Sequence, residues 1–184
     1  GDWTDWWSDG SASVPVDTLI YRNALRARRT IDMLDPRRET VKDPELDAID
    51  RKLLLFAEHT FGYSHTADTS VLVQQVFGRK SKHAIEADEL AGAGLLKVLR
   101  RQGEGAFAAR RPFAYTAINP LDERVRSVAY LPLDTWDAPM ARSAFRVVDE
   151  QGKQYPHQLE RRPRGWHAAV LVELEPRHKL RLKL

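Results

Sequence analysis

The sequence of 184 residues predicts an α+β protein in which a three-helix bundle precedes an antiparallel β-sandwich. Up to about residue 101, apolar residues recur at three- and four-residue spacing, which is the period of one face of a helix. Beyond it, glycines and a proline interrupt the chain, and short runs of alternating apolar and polar residues follow. We therefore expect three regions: residues 1–13 as a loop-like segment without periodicity, 14–104 as the helical bundle, and 110–184 as the β-sandwich region.

Prolines mark the starts of the first two helices. One helix begins near Pro15 and ends before Pro36, since proline is favoured in the first turn of a helix and disfavoured in its interior. The other begins at the Asp-Pro-Glu sequence of residues 43–45, where acids also lie at the positive end of the helix dipole, and closes at or before Gly62. Their predicted core faces are Val16, Leu19, Ile20, Ala24, Ala27, Ile31 and Leu34, and then Leu46, Ile49, Leu53, Phe56 and Ala57.

The third helix is expected over residues 80–101, after a short helical or irregular piece at residues 69–77. Small residues at 91–94 should permit the close approach of a neighbouring helix, at some loss of intrinsic helicity. Its predicted inner face comprises Ala84, Ala87, Ala91, Leu95, Val98 and Leu99.

The second half of the chain has the pattern of short strands joined by turns. The Asn-Pro pair at residues 119–120 and the Asp-Glu-Gln-Gly run at residues 149–152 are typical turn sequences. The last strand runs to Leu184, so the predicted sandwich can be an incomplete one. The expected strands cover residues 113–118, 124–131, 144–148, 154–159, 166–174 and 178–184.

The composition excludes several classes of protein. A hydrophobic content of 42% with 30% charged residues is typical of a soluble globular protein, and no apolar run approaches the roughly 18 residues of a membrane helix. The net charge of +3 is too small to indicate a nucleic-acid partner. The absence of cysteine excludes disulfides and thiolate metal ligands and favours a reducing compartment, so we expect a cytoplasmic protein. The oligomeric state is left open.

Three motifs occur in a fixed order along nearly the whole chain. They are GDWTDWWSDG at residues 1–10, LFAEHTFG at residues 55–62, and FAYTAINPLDERV at residues 113–125, followed by VVDEQGKQYPHQL at residues 147–159. Together they resemble the α-mannosidase-like proteins of glycoside hydrolase family 38. The resemblance implies a fragment in which residues 1–13 are the end of a preceding catalytic barrel domain, and the rest covers the helical middle domain and the start of the C-terminal β region. The start at Gly1, without an initiator methionine, also indicates the interior of a longer polypeptide.

The resemblance implies specific roles for two short segments. His59 aligns with a histidine that binds the catalytic zinc in the family, the remaining ligands coming from the barrel. Thr60 and Phe61 follow it at the sugar site, and the aromatic wall of that site would include Trp6 and Trp7, with Asp5 binding hydroxyls. The implied substrate is a mannoside or a related glycan.

The same resemblance sets two limits on this chain. The family draws its nucleophile from the barrel, so the chain supplies no catalytic residue and should be inactive alone. Thr60 stands where family members with a double-histidine motif have a substrate-contacting aspartate, which leaves the sugar preference open.

The residues also allow other interpretations. A histidine at a helix C-terminus interacts favourably with the helix dipole without any metal, and Glu58 either orients the His59 imidazole or faces solvent. Tryptophans commonly pack loops onto a core. As alternative functions, Trp136 and Trp166 suggest a carbohydrate-binding β module, and a set of cations suggests a basic surface for nucleic acid. That set comprises Arg22, Arg26, Arg28, Arg29, Lys80, Lys82, Arg100 and Arg101.

Overall fold

A computed structural model describes residues 14–58, 70–104, 113–134, 145–162 and 165–184. The chain divides into two compact units, Gly1–Gly105 and Ala106–Leu184. In the described residues, the first unit contains helices and the second contains antiparallel strands in two sheets. The predicted α+β fold class is therefore confirmed.

The described residues of the first unit form three helices: α1 (Pro15–Leu34), α2 (Asp43–Ala57) and α3 (Val71–Arg101). Their directions follow from contacts along α3. Ser81 donates to the Asp17 carboxylate near the start of α1, and the Gln102 side chain donates to Leu34 O at its end, so α1 and α3 are parallel. Lys97 pairs with Glu45 at the start of α2, which makes α2 antiparallel to α3.

Helix α3 is longer than the sequence pattern predicted. It begins at Val71, so the separate piece expected at residues 69–77 is, from residue 71 onwards, part of the same unbroken helix. The Ser70 hydroxyl caps the new start by accepting a hydrogen bond from Val73 N at 3.4 Å. Val73 is only 1% exposed, and this burial extends the inner face of α3 beyond the predicted start.

Small side chains cover the inner face of α3 where it packs in the bundle. Ala84, Ala87 and Ala91 are fully buried, and Gly94 is buried one turn further along. A Cβ atom built on Gly94 would lie 3.0 Å from the Ile31 Cδ1 atom of α1. The close packing predicted from small residues at 91–94 is therefore real at Gly94, whereas Gly92 has nothing within 4 Å of its Cβ position.

The second unit contains seven described strands in two sheets. The strands are β1 (Ala114–Ile118), β2 (Val125–Pro132), β3 (Val147–Asp149), β4 (Gln154–Tyr155), β5 (His157–Arg162), β6 (Gly165–Leu174) and β7 (Lys179–Lys183). One sheet has the order β1-β7-β3-β4 and the other the order β2-β6-β5, with antiparallel pairing throughout.

The two sheets share one hydrophobic core. Leu182 of β7 and Val147 of β3 are each 1% exposed and belong to the same cluster as the fully buried Ala168 and Val170 of β6. Sheets that contribute to a common core form a sandwich.

The single strand expected over residues 154–159 is two strands in different sheets. Strand β4 pairs with β3, the chain passes Pro156, and β5 then pairs with β6. Proline has no N–H to donate to a sheet ladder, so it marks a natural place for the chain to leave one sheet. The Pro156 carbonyl still accepts from Leu171 N at 3.0 Å on the second sheet.

Asn119 fixes the predicted Asn-Pro turn after β1. It is 3% exposed, and its side-chain amide donates to the carbonyl oxygens of Glu123 at 2.8 Å and Glu175 at 2.9 Å. Its Oδ1 atom accepts from Leu121 N at 3.1 Å. Both the NH₂ group and the oxygen of this buried amide therefore have hydrogen-bond partners, and these bonds hold the turn against the end of β6.

Substituting leucine at two glycines of α3 tests the packing of the bundle. We expect Gly94→Leu to lower the free energy of unfolding by about 1–3 kcal/mol, because overfilling a packed contact forces its neighbours to shift. The same change at exposed Gly92 should stabilise by about 0.5–1 kcal/mol through helix propensity. Urea unfolding followed by helical circular dichroism measures both. Equal effects at the two positions would contradict the close contact at Ile31.

Candidate functional site

The predicted zinc ligand and sugar-contacting residues lie outside the described part of the chain. These residues are Asp5, Trp6, Trp7, His59, Thr60 and Phe61. The structure does describe the chain that leads directly to His59, which is the C-terminal end of α2. The candidate site is therefore built from that end and from the elements that contact it.

Helix α2 ends at Ala57, two residues before His59 in the sequence. Ala57 is its last residue, and the N–H of Glu58 makes the closing hydrogen bond to Leu54 O at 2.9 Å. Glu58 itself is extended, with φ −64° and ψ 151°, so the chain has left the helix at that residue. The prediction that this helix closes at or before Gly62 is confirmed.

Lys80 of α3 contacts the end of α2 with its ammonium group. Its Nζ atom donates to the main-chain oxygen of Glu58 at 3.2 Å and also pairs with the Glu58 carboxylate oxygen Oε1. The Lys80 side chain is only 9% exposed, whereas that of Glu58 is 40% exposed. We call Lys80 and these two acceptors on Glu58 the Lys80 anchor.

The anchor satisfies polar groups at a helix end that has no cation of its own. The last turn of α2 contains no basic residue, although the carbonyls there lack helical partners and carry partial negative charge. The Lys80 ammonium supplies the positive charge from a neighbouring helix. Neither role considered for Glu58, orienting an imidazole or facing solvent, included this ion pair.

The position of Lys80 differs from that of a surface cation. It is one of the eight cations of the alternative basic surface, but it is a buried member of the inner stripe of α3, which also contains Val73, Ala84 and Ala87. The helical spacing from Ala84 back to residue 80 could have indicated this position. A lysine at a core position requires a partner for its charge.

Several cations of the alternative basic surface form ion pairs with acidic side chains among the described residues. The Arg28 guanidinium binds both Asp50 carboxylate oxygens, at 2.9 and 2.8 Å, and also pairs with Asp32. Lys82 lies 3.5 Å from Glu86, and Arg101 pairs with Glu39. With Lys80, at least four of the eight cations therefore have a carboxylate partner among the described residues.

The β unit offers no open aromatic platform at Trp166. Its ring is partly buried and packs against the hydrophobic core of the sandwich, as expected for a residue that stabilises a sheet. Trp136, the other tryptophan of that hypothesis, lies outside the described residues.

Two surface depressions are lined by described residues of the helical unit. One, of about 550 Å³, lies beside α2 and includes His83 of α3. Burial and the nearby Lys52 charge lower the pKa of His83, which favours a neutral imidazole. The His83 Nδ1 atom is buried without a hydrogen-bond partner among the described residues. The sequence interpretation did not single out this histidine.

The second depression, of about 340 Å³, includes Asp35 in the connection between α1 and α2. Asp35 is 6% exposed, and its carboxylate accepts from the N–H groups of Glu39 at 3.0 Å, Thr40 at 2.9 Å and Val41 at 2.9 Å. Burial opposes ionisation, but these three hydrogen bonds lower the pKa of Asp35. Both carboxylate oxygens of Asp35 therefore bind backbone N–H groups of the loop at residues 39–41.

The described residues do not by themselves build a metal centre. No group of three or more His, Asp or Glu within them could hold a metal ion. A zinc ion bound by His59 would therefore need its other ligands from outside the described ranges. A separate point concerns membranes: none of the described helices is long and apolar enough to cross one.

Comparison with known proteins adds no family assignment. No protein-family model matches the chain, and no curated protein matches it significantly.

The hydrogen bonds to Asp35 predict a specific loss of stability in acid. The pKa of Asp35 in the folded state lies below its unfolded-state value of about 3.8. The stabilisation by the ionised Asp35 carboxylate is therefore complete above about pH 3.8 and is lost as the pH falls through the folded-state pKa. Asp35→Asn should lower the free energy of unfolding by about 1–3 kcal/mol at neutral pH, since its amide NH₂ would face backbone donors.

The difference between Asp35→Asn and the parent should shrink as the pH falls from 5 to 2, measured by urea unfolding at each pH. Asp47→Asn, at an exposed position of α2, is the matched control and should track the parent throughout. A constant deficit of Asp35→Asn over this range would show that ionisation of Asp35 does not contribute.

Proposed function

We propose that this chain is part of a zinc-dependent, retaining α-mannosidase-like glycoside hydrolase. In this proposal the chain supplies His59 as one zinc ligand, and Asp5, Trp6, Trp7, Thr60 and Phe61 as part of the sugar site. The nucleophile and the other zinc ligands come from a preceding catalytic domain. The sugar substrate is a mannoside or a related glycan.

The observation that carries the proposal is where the described start of the LFAEHTFG motif, residues 55–58, lies in the fold. Its Ala57 ends α2, and the next residue, Glu58, is extended and bound by Lys80. A histidine that follows a helix end directly can be presented to a neighbouring domain, whereas one inside the helix would face the bundle or its flank. The order of helical unit and β unit is also the order that the resemblance implies.

In this mechanism the residues of the chain bind and orient. When bound, zinc would hold sugar hydroxyls and act as a Lewis acid and template. His59 would donate a neutral imidazole nitrogen to it. Trp6 and Trp7 would stack against the apolar face of a sugar ring, and Asp5 and the Thr60 hydroxyl would hydrogen-bond its hydroxyls.

Replacing His59 in the polypeptide that includes the preceding domain tests the proposal. Loss of outer partners of a zinc ligand typically lowers metal affinity by about 10–100-fold, so His59→Ala should lower it by at least that much. Zinc content after dialysis, zinc affinity by chelator competition and glycosidase turnover are the measurements. The chain of 184 residues by itself should show no turnover.

His178→Ala is the matched control, because His178 is an exposed histidine in the turn before β7. It should leave zinc content and turnover at the parent level. Parent-level zinc in His59→Ala would refute the role of His59. Glycosidase activity of the isolated chain would refute the statement that the nucleophile comes from a preceding domain.

A further inference from the structure

The larger depression of the helical unit lies along one face of α2 and is lined from α3 by His83. On α2 its lining residues lie between Pro44 and Leu55 and recur at three- and four-residue spacing, which is the spacing of neighbours on one helix face. Its volume of about 550 Å³ is within the range of roughly 300–1,000 Å³ that is usual for small-molecule sites. The depression is therefore large enough for a small organic ligand.

The α2 lining combines an apolar part with a cationic part. Pro44, Ala48 and Leu55 supply the apolar part, and Arg51 and Lys52 supply the cationic part. Apolar atoms of a ligand gain from contact with the first part because they leave water, and an anionic group gains from the second. A ligand that matches both parts carries an anionic group on a small apolar body.

The cations of this lining are not neutralised by the acids near them. Arg51 is exposed and forms no ion pair or hydrogen bond with another described residue. Lys52 pairs with Glu86 at 2.5 Å, but Glu86 also lies 3.5 Å from Lys82, so one carboxylate faces two ammonium groups. The Arg51 guanidinium keeps its paired N–H donors, whose fixed geometry matches the oxygens of a carboxylate or phosphate.

His83 adds a neutral hydrogen-bond donor on the α3 side. Its Nδ1 atom is buried and has no hydrogen-bond partner among the described residues, whereas Nε2 is not buried in this way. A proton on Nδ1 would leave a buried N–H without an acceptor, which is costly. The neutral ring therefore carries its proton on Nε2, and this N–H is the one that a ligand in the depression can reach.

The charges around His83 also favour an anion. Burial is the first cause of its lowered pKa, and the positive charge of Lys52 is the second. Lys80 and Lys82 lower this pKa further, whereas Glu86 raises it. The excess of positive charge that disfavours an imidazolium attracts a negatively charged ligand to the same place.

We propose that this depression binds a small organic anion. Its carboxylate or phosphate group accepts hydrogen bonds from Arg51 and from the Nε2–H of His83, and its apolar body lies against Ala48 and Leu55. The inference does not rest on the proposed function, because none of the residues assigned to zinc or sugar takes part in this site.

Titration of the chain with phenyl phosphate and with benzoate tests the two anionic groups on the same apolar ring. Each probe should cause saturable NMR shifts of the His83 ring signals and of the backbone amides around Arg51. Inorganic phosphate has no apolar body, and phenol has no charge at neutral pH. Both should bind about tenfold more weakly than phenyl phosphate, since each lacks one of the two interactions.

Four substitutions locate the binding to these residues. Arg51→Gln and His83→Phe should each weaken both anionic probes about tenfold, because each removes a donor to the anion. Asp47→Asn should strengthen them by about twofold, because Asp47 is an exposed acid in the same lining and its charge is screened by solvent. Arg22→Gln is the matched control, since Arg22 is an exposed arginine of α1 outside the depression, and it should leave the affinity at the parent level.

The outcomes are distinct. Losses in Arg51→Gln and His83→Phe without a loss in Arg22→Gln would support the site. An equal loss in Arg22→Gln would reveal attraction by the overall charge and overturn it, and so would the absence of saturable shifts with both anionic probes. Affinity for phenol or inorganic phosphate equal to that for phenyl phosphate would contradict an anion with an apolar body. Circular dichroism verifies the fold of each variant, and exposed Arg51 keeps the test decisive if His83→Phe does not fold.

Discussion

The inner face of α3 is the constraint on which the helical unit depends. Its alanines and Gly94 have so little volume that α1 packs to within contact of the helix backbone, with Ile31 Cδ1 only 3.0 Å from the position of an added Cβ. Interiors packed this closely transmit small changes of volume into shifts of whole elements. The same face of α3 that sets its distance from α1 also holds the aliphatic stem of Lys80. A change in the packing of this face would therefore also change the contact between Lys80 and the end of α2.

Lys80 shows how an ionic group can serve specificity inside a packed unit. A buried ion pair is weak evidence for net stability, because desolvation offsets much of the attraction. Its value here is geometric, because the Glu58 carbonyl and carboxylate at the end of α2 both bind the same nitrogen of α3. The interaction therefore defines where α2 ends relative to α3 and from which point the chain continues towards His59.

The β unit uses buried polar groups in a comparable way. The Asn119 amide bonds carbonyls on both sides of its turn, and the Asp149 carboxylate accepts from Gln151 N and Lys153 N, each at 2.9 Å, within the next predicted turn. Asparagine and aspartate favour such turns because their short side chains reach nearby backbone donors and acceptors. The local contacts among these, from Asn119 to Glu123 and from Asp149 to Gln151 and Lys153, explain why the turn sequences were recognisable without tertiary information. The contact from Asn119 to Glu175 spans 56 residues and could not be read from the turn sequence.

The amino-acid sequence alone determined the element types and their order. Helical and strand periodicities depend on neighbours a few residues away, so the starts at Pro15 and Asp43, the closure of α2 before Gly62 and the β half could all be recognised. Only the tertiary structure decided that residues 71–79 extend α3, that the chain changes sheets at Pro156, and that Lys80 is buried. The physical reason is distance along the chain: the acceptors of Lys80 are 22 residues away, and a lysine is buried or exposed according to where folding brings its partner.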